Sequence, residues 1–183
     1  MIINIRHTGL VVNNLSLMKN FYIKLGFNEH ISGIEKGKFI DNVTGLENVD
    51  LEWIKLKSRD GQLLELLKYH SHPDSRQLEI RKSNKHGCSH VAFTVEDSDE
   101  FCKLIVKYGG SIINQPMLSP DKKVKVSYCH DPEGILMEIV QILWKRVKGT
   151  SLLNMMKKVI HIHLTQISYV TIYLKLFDSF FDQ

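Results

Sequence analysis

The sequence predicts an α+β chain built as an internal duplication, each half running strand, helix, then several strands. Two observations carry this. The first is a pair of matched openings, Ile5-Arg6-His7-Thr8-Gly9-Leu10-Val11-Val12 and Cys88-Ser89-His90-Val91-Ala92-Phe93-Thr94-Val95, each with a glycine 19 residues after its histidine (Gly26, Gly109), so that the offset is 83 at both landmarks. The second is a pair of matched endings, Gly61-Gln62-Leu63-Leu64-Glu65-Leu66-Leu67 and Gly134-Ile135-Leu136-Met137-Glu138-Ile139-Val140, which share G-x-L-x-E-x-aliphatic at an offset of 73. A repeat of this length marks a supersecondary unit used twice, and it takes precedence over any local reading.

Each element follows from local pattern. The two openings are short runs of β-branched and apolar residues that read as strands. Between opening and glycine, 15–25 and 98–108 carry apolar residues at helical spacing: Leu15, Met18, Tyr22 and Leu25, then Phe101, Leu104, Ile105 and Tyr108. Gly26 and Gly109 sit where a helix C-terminus favours glycine, and Asp97 or Ser98 can cap the second helix. Further strands are expected at Phe39–Ile40, 50–57 and 62–69 in the first half, and at 111–115, 124–130 and 135–142 in the second. Loops are marked at 71–75, 83–87 and 115–121 by Pro, Gly, Ser and Asp. Because the offset falls from 83 to 73, the first half holds about ten extra residues, placed within 28–50.

Composition bounds the class. The chain has 183 residues, 43% hydrophobic and 24% charged, with 11 Gly and 4 Pro, which suits a globular domain and excludes disordered and collagen-like chains. The net charge of +4 belongs to the end: from Lys145 onward six basic residues face Asp178 and Asp182, leaving 18 of each sign in residues 1–144. A neutral body gives no electrostatic case for nucleic acid. Three cysteines without CxxC spacing suggest neither a disulfide framework nor a thiolate zinc site, so reduced thiols in the cytoplasm are expected. The N-terminus lacks the pattern of a cleaved signal peptide. Residues 144–183 form an extension in which 159–175 is too often interrupted by polar residues to read as a spanning helix, so no stable membrane insertion is expected. An edge strand, a helix, a partner-binding tail and a peripheral membrane contact are all open there.

Strand alternation then places the chemistry. Ile5, His7, Gly9 and Val11 share a face, as do Leu63, Glu65 and Leu67; the second half repeats this with Cys88, His90 and Ala92, then Leu136, Glu138 and Val140. Each half offers one imidazole and one carboxylate among apolar neighbours, where a lone carboxylate is costly. If the halves pack symmetrically with their curved sheets inward, all four side chains converge, and two nitrogens with two oxygens suit Ni, Co, Zn, Mn or Fe. The plain alternative is that each His is a hydrogen-bonded core residue and that Glu65 or Glu138 pairs with a nearby Lys. His70 and His72 read as surface, and His161 and His163 lack an acidic partner in sequence.

Residues 3–143 resemble the vicinal oxygen chelate superfamily, the group of glyoxalase I, methylmalonyl-CoA epimerase, fosfomycin-resistance proteins, bleomycin resistance proteins and extradiol dioxygenases. The resemblance rests on His7, Glu65 in GQLLELL, His90 in HVAFTV, Glu138 in DPEGILMEI, and the Asp131-Pro132-Glu133-Gly134 turn. It implies paired βαβββ modules, about 3–70 and 86–143 with a linker at 71–85, forming a curved mixed sheet around a cleft. It also implies one divalent metal held by His7, Glu65, His90 and Glu138, and a homodimer. A carboxylate at 65 tilts the resemblance towards the glyoxalase I and epimerase branch, a metal-dependent lyase or isomerase. There Glu138, with Glu65 as alternative or partner, moves a proton beside the carbonyl of a small carbonyl or thioester substrate through an enediolate. Leu51 stands where epimerases carry an extra carboxylate, which weakens methylmalonyl-CoA epimerase specifically. Arg59, Arg76 and Arg81 are available for a glutathione carboxylate without being anchored by pattern. Trp53, Cys88, Tyr128 and His130 are candidate substrate contacts, although a buried inert thiol is the simpler reading of Cys88. Two other functions fit the same fold: a three-ligand Fe(II) or Mn(II) dioxygenase or thiol transferase in which Glu65 is a bystander, and a ligand-sequestering protein without metal, like bleomycin resistance proteins.

Overall fold

Both halves fold into sheets of the same strand order. The computed structural model describes residues 1–74, 80 and 82–143, and Met1–Leu143 form one unit; the extension after Leu143 lies outside the described residues. The first half comprises β1 (Thr8–Val11), α1 (Leu15–Lys24), β2 (Asn28–Lys36), α2 (Lys38–Thr44), β3 (Asp50–Lys57) and β4 (Leu63–Tyr69). The second comprises β5 (Val91–Val95), α3 (Ser98–Lys107), β6 (Ser111–Ile112), β7 (Met117–Leu118), β8 (Val124–His130) and β9 (Leu136–Ile142). One sheet runs β1-β4-β3-β2; the other runs β5-β9-β8-β6, with β7 also pairing with β8. In each sheet the first strand lies parallel to the last and the other pairs are antiparallel. Gly9 pairs with Glu65 and Ala92 with Glu138, so the two sequence offsets are one repeated register.

The expected mixed α+β fold of paired modules is present, each module contributing a mixed sheet of its own. Two local expectations are corrected. Phe39 and Ile40 lie in α2, not in a strand, and α2 accounts for most of the first half's extra residues. The expected strand at 111–115 shortens to β6, and β7 forms inside the stretch 115–121 expected as a loop, directly after Pro116, which has no N–H for the ladder.

Alternation explains the arrangement. Leu10 of β1, Leu64 and Leu66 of β4, and Met137 and Ile139 of β9 point into one apolar cluster with Met18, Phe21 and Tyr22 of α1 and Ile105 of α3. Both sheets therefore turn their helix-covered faces to a shared core, where each fully buried side chain contributes roughly 1.5–3 kcal/mol. Asp97, one of the two expected caps, starts the second long helix, and Asn14 starts the first. Asn14 accepts from Leu17 N, and Asp97 accepts from Asp99 N and Glu100 N.

The Asp131–Gly134 turn ties the halves together. Glu133 accepts from the backbone N–H of Asn13 at 2.7 Å and Asn14 at 2.6 Å, at the start of α1. Asp131 accepts from Tyr22 Oη at 2.9 Å and from the N–H groups of Glu133 and Ile135. Burial pushes the Asp131 carboxyl up to about 6, against the pull of those hydrogen bonds. Its folded-state value exceeds the unfolded value, so the folded state binds the proton more tightly; stability rises as pH falls below about 6 and is lost as pH rises through it. Urea unfolding should therefore show Asp131 favouring pH 4 over pH 7 by about 2 kcal/mol, a slope that Asp131→Asn removes. Identical pH slopes in the two proteins would contradict this assignment.

Candidate functional site

In the first half the site stands on the sheet face turned away from the core. His7 immediately precedes β1, and its Nε2 lies 2.9 Å from Glu65 Oε2. Gly9, between them in register, leaves that face open: a Cβ there would come within 3.2 Å of Leu67 Cδ1 and 4.0 Å of Glu65 Oε2. Lys55, directly opposite Glu65 in β3, donates from Nζ to Glu65 Oε1 at 3.2 Å and lies 4.5 Å from the centre of the Trp53 ring. Both oxygens of a carboxylate whose side chain is only 12% exposed are thus engaged, as a charge among Leu64, Leu66 and Leu67 requires. The Lys pairing is the plain alternative anticipated for Glu65, here realised alongside the His7 contact.

The second half repeats the geometry with one change. His90 precedes β5, and its Nε2 lies 3.0 Å from Glu138 Oε2, while Nδ1 is 3.2 Å from Ser89 Oγ. The residue opposite Glu138 is Tyr128, whose ring meets that of His90 edge-on at 5.3 Å between centroids. Burial, then the Glu138 charge, pushes the Tyr128 hydroxyl above its ordinary value. Lys55 and Tyr128 are therefore the same structural position in the two halves, 73 residues apart.

The four residues come together two by two. Among the described residues no group of three or more His, Cys, Asp and Glu side chains is placed to hold one metal. The reason lies in the fold: the neighbours of each ligand face the shared core, so both ligand faces point away from it. Gly9, Val11, Ala92 and Thr94 on these faces are exposed.

The donors nonetheless fit a divalent metal. Each half sets an imidazole nitrogen beside a carboxylate oxygen, 2.9 Å apart in one and 3.0 Å in the other, a donor pair suited to divalent first-row metals. His7 Nδ1 is buried without a hydrogen-bond partner, so the ring is held only through Nε2 by Glu65.

The remaining candidates divide. Trp53 lies on the site face of β3, its ring against Gly33, where a Cβ would stand 2.8 Å from Trp53 Cζ2. Leu51 is buried on that face beside Ile40 and Val49, with Trp53, Leu67 and Tyr69 packed around them, so α2 walls one end of it. Glu52 points to the other face and meets His70 at 2.9 Å. Cys88 is exposed in the loop before β5, which corrects the expectation of a buried thiol, and His130 is buried at the end of β8. Arg59 is exposed and pairs with Glu96; Arg76, Arg81, His161 and His163 lie outside the described residues. Lys55 was not singled out in sequence, although its alternation with Trp53 and its place in the repeat opposite Glu65 are the signals that locate it. A separate open groove of about 890 Å³ runs between the starts of β1 and β5; His7 borders it, but neither Glu65 nor Glu138 does.

The sequence profile of the Glyoxalase/Bleomycin resistance protein/Dioxygenase superfamily matches residues 4–139. The chain belongs to that superfamily. Its solved relatives agree on the fold. A glyoxalase family protein from Bacillus cereus is 24% identical, with a TM-score of 0.73 over 79% of this chain and 97% of its own. A glyoxalase/dioxygenase from Nostoc punctiforme is 18% identical, with a TM-score of 0.56 over 78% of this chain and 92% of its own. A glyoxalase I mutant from Zea mays is 16% identical, with a TM-score of 0.54 over 74% of this chain and 43% of its own. No curated protein matches the sequence. Superfamily members include many enzymes and commonly use a divalent metal, while some are not enzymes. Among the described residues no helix is long and apolar enough to cross a membrane.

Proposed function

We propose that the protein is a metal-dependent lyase or isomerase of the glyoxalase I or epimerase type, working as a homodimer. His7 and Glu65 of one copy complete a site with His90 and Glu138 of the other. The observation that carries this reading is the repeated His–carboxylate pair, at 2.9 Å and 3.0 Å, on the sheet face turned away from the shared core in each half. A divalent metal held there supplies Lewis-acid polarisation of substrate oxygens.

The chain's own groups supply the proton transfer. Glu138 takes the proton from the carbon beside a carbonyl and returns it, from its place opposite Tyr128 on the second wall. His90, 3.0 Å from Glu138 Oε2, orients that carboxylate. Glu65 serves as partner base on the opposite wall, and Trp53, Tyr128 and His130 bound the space for a small carbonyl or thioester substrate. Leu51, apolar and buried, places no third carboxylate on the first wall, which argues against methylmalonyl-CoA epimerase specifically.

One observation favours a second reading. The contact between Lys55 and Glu65 gives that carboxylate a partner without metal, as expected of a three-ligand dioxygenase or thiol transferase using His7, His90 and Glu138. Co(II) or Ni(II) titration of the wild type and Glu65→Ala separates the two. The lyase or isomerase reading expects one metal per chain, an affinity loss of roughly 100-fold or more in Glu65→Ala, and deuterium entering thioesters or 2-oxoaldehyde–thiol adducts from D2O beside the carbonyl. Metal binding indifferent to Glu65→Ala supports the three-ligand set. Ligand binding that needs no metal and survives a chelator would move the chain to the sequestering class.

A further inference from the structure

The two His–Glu pairs repeat each other, but opposite their carboxylates a cation stands in one half and a neutral ring in the other. Lys55 is held in place: its Nζ lies 3.2 Å from Glu65 Oε1 and 4.5 Å from the Trp53 ring centre, with the side chain only 21% exposed. A largely enclosed ammonium on a face shared with Leu51, Trp53 and Leu67 needs a counter-charge, and Glu65 is the carboxylate that supplies it. Tyr128 shows that the fold accepts a neutral side chain at the equivalent place.

A charge count gives the lysine a role. This step rests on the metal reading above. A divalent cation brings two positive charges, Glu65 and Glu138 each remove one, and Lys55 adds one, so the assembled site carries a single excess positive charge. The sum is the same whether Glu65 binds the metal or stays with Lys55. In a partly desolvated cleft an unbalanced charge is much stronger than in water, and it favours an anionic ligand over a neutral one. Once the metal draws on Glu65, the nearest unsatisfied positive group beside the reacting centre is the Lys55 ammonium.

We propose that Lys55 selects substrates that carry a carboxylate adjacent to the reacting carbon. The residue is a specificity determinant that acts by direct contact with that carboxylate, which takes over the position now held by Glu65 Oε1. Substrates with a neutral group there leave the site with its excess charge and bind less well.

The test uses the full-length protein loaded with Co(II), whose visible spectrum reports ligand entry, and two probes of equal size, glycolate and its neutral analogue glycolamide. Lys55→Met is expected to lower glycolate affinity about tenfold and to leave glycolamide within about twofold. Lys55→Arg is expected to retain most of the glycolate affinity. Lys55→Gln, which keeps a donor but loses the charge, gives the same reading if methionine disturbs the packing on Trp53. Co(II) affinity in the neutral variants should be unchanged or higher, because a cation beside the metal is gone. Equal losses for both probes, or no loss for either, would overturn the assignment while leaving the metal site standing. A wild-type protein that takes up no Co(II) overturns the metal reading itself, and this assignment with it.

Discussion

A mixture of His7→Ala and His90→Ala chains, co-expressed or refolded together, is expected to regain about a quarter of the high-affinity Co(II) sites of the wild type, although neither variant alone holds any. Each substitution removes one nitrogen donor and should weaken metal binding by roughly 100-fold or more in its own homodimer. In a mixed dimer the first half of one copy meets the second half of the other. One site then lacks both histidines and its symmetry mate lacks neither. Random pairing makes about half the dimers mixed, and one site in two of these is intact, hence about a quarter. The prediction follows from where strand alternation points the ligands. Leu10 flanks Gly9, Leu64 and Leu66 flank Glu65, and Met137 and Ile139 flank Glu138, and all five enter one core within the chain. The ligand faces therefore look outward, and no rearrangement short of unpacking that core brings them together in one copy. A mixture that behaves as the average of its parts, with a wild-type protein that does bind Co(II), would mean that one chain builds the site alone.

The repeat was legible because two copies of one register leave two copies of each landmark. His7 and His90, Gly26 and Gly109, and Glu65 and Glu138 recur at offsets that the strand pairing reproduces as Gly9 with Glu65 and Ala92 with Glu138. The strands 50–57 and 124–130 and both long helices lie where alternation and helical spacing put them. Edge elements were less legible. β2, Asn-Glu-His-Ile-Ser-Gly-Ile-Glu-Lys, is a mostly exposed edge strand whose sequence has little apolar alternation to show. α2 is only seven residues long, and its one buried residue, Ile40, gives no helical period. At the site, the pairing of each His with its Glu was legible from face and spacing, but the direction of the two faces was not. Both faces of a two-sided strand carry apolar residues here, and only the packing of α1 and α3 decides which becomes the core. Lys55 was hidden for a related reason: a lysine in a strand reads as solvated until its cross-strand partner is known.

Gly110→Ala is expected to cost about 3 kcal/mol of stability and to lower Tm by roughly 6–12 °C, more than any exposed glycine among the described residues. The residue follows Gly109 at the end of α3, and its N–H donates to Ile105 O at 2.9 Å. A Cβ here would stand 2.5 Å from the backbone oxygen of His130, 2.7 Å from Ile105 Cγ2 and 3.2 Å from Ile105 O. None of these can give way cheaply. His130 is paired with Ser111 in the sheet, and Ile105 is fully buried in the core. Relief would require moving β8 away from α3, and β8 also carries Tyr128 opposite Glu138, so the same variant should perturb Co(II) binding in whatever fraction remains folded. Gly26→Ala is the comparison. Gly26 has φ of 110° and nothing within 4 Å of the place a methyl would occupy, so its cost is backbone strain alone, about 1–2 kcal/mol. Thermal unfolding of both variants separates the two reasons a chain keeps glycine. Equal losses would mean that conformational freedom, rather than the close approach of α3 to β8, explains Gly110.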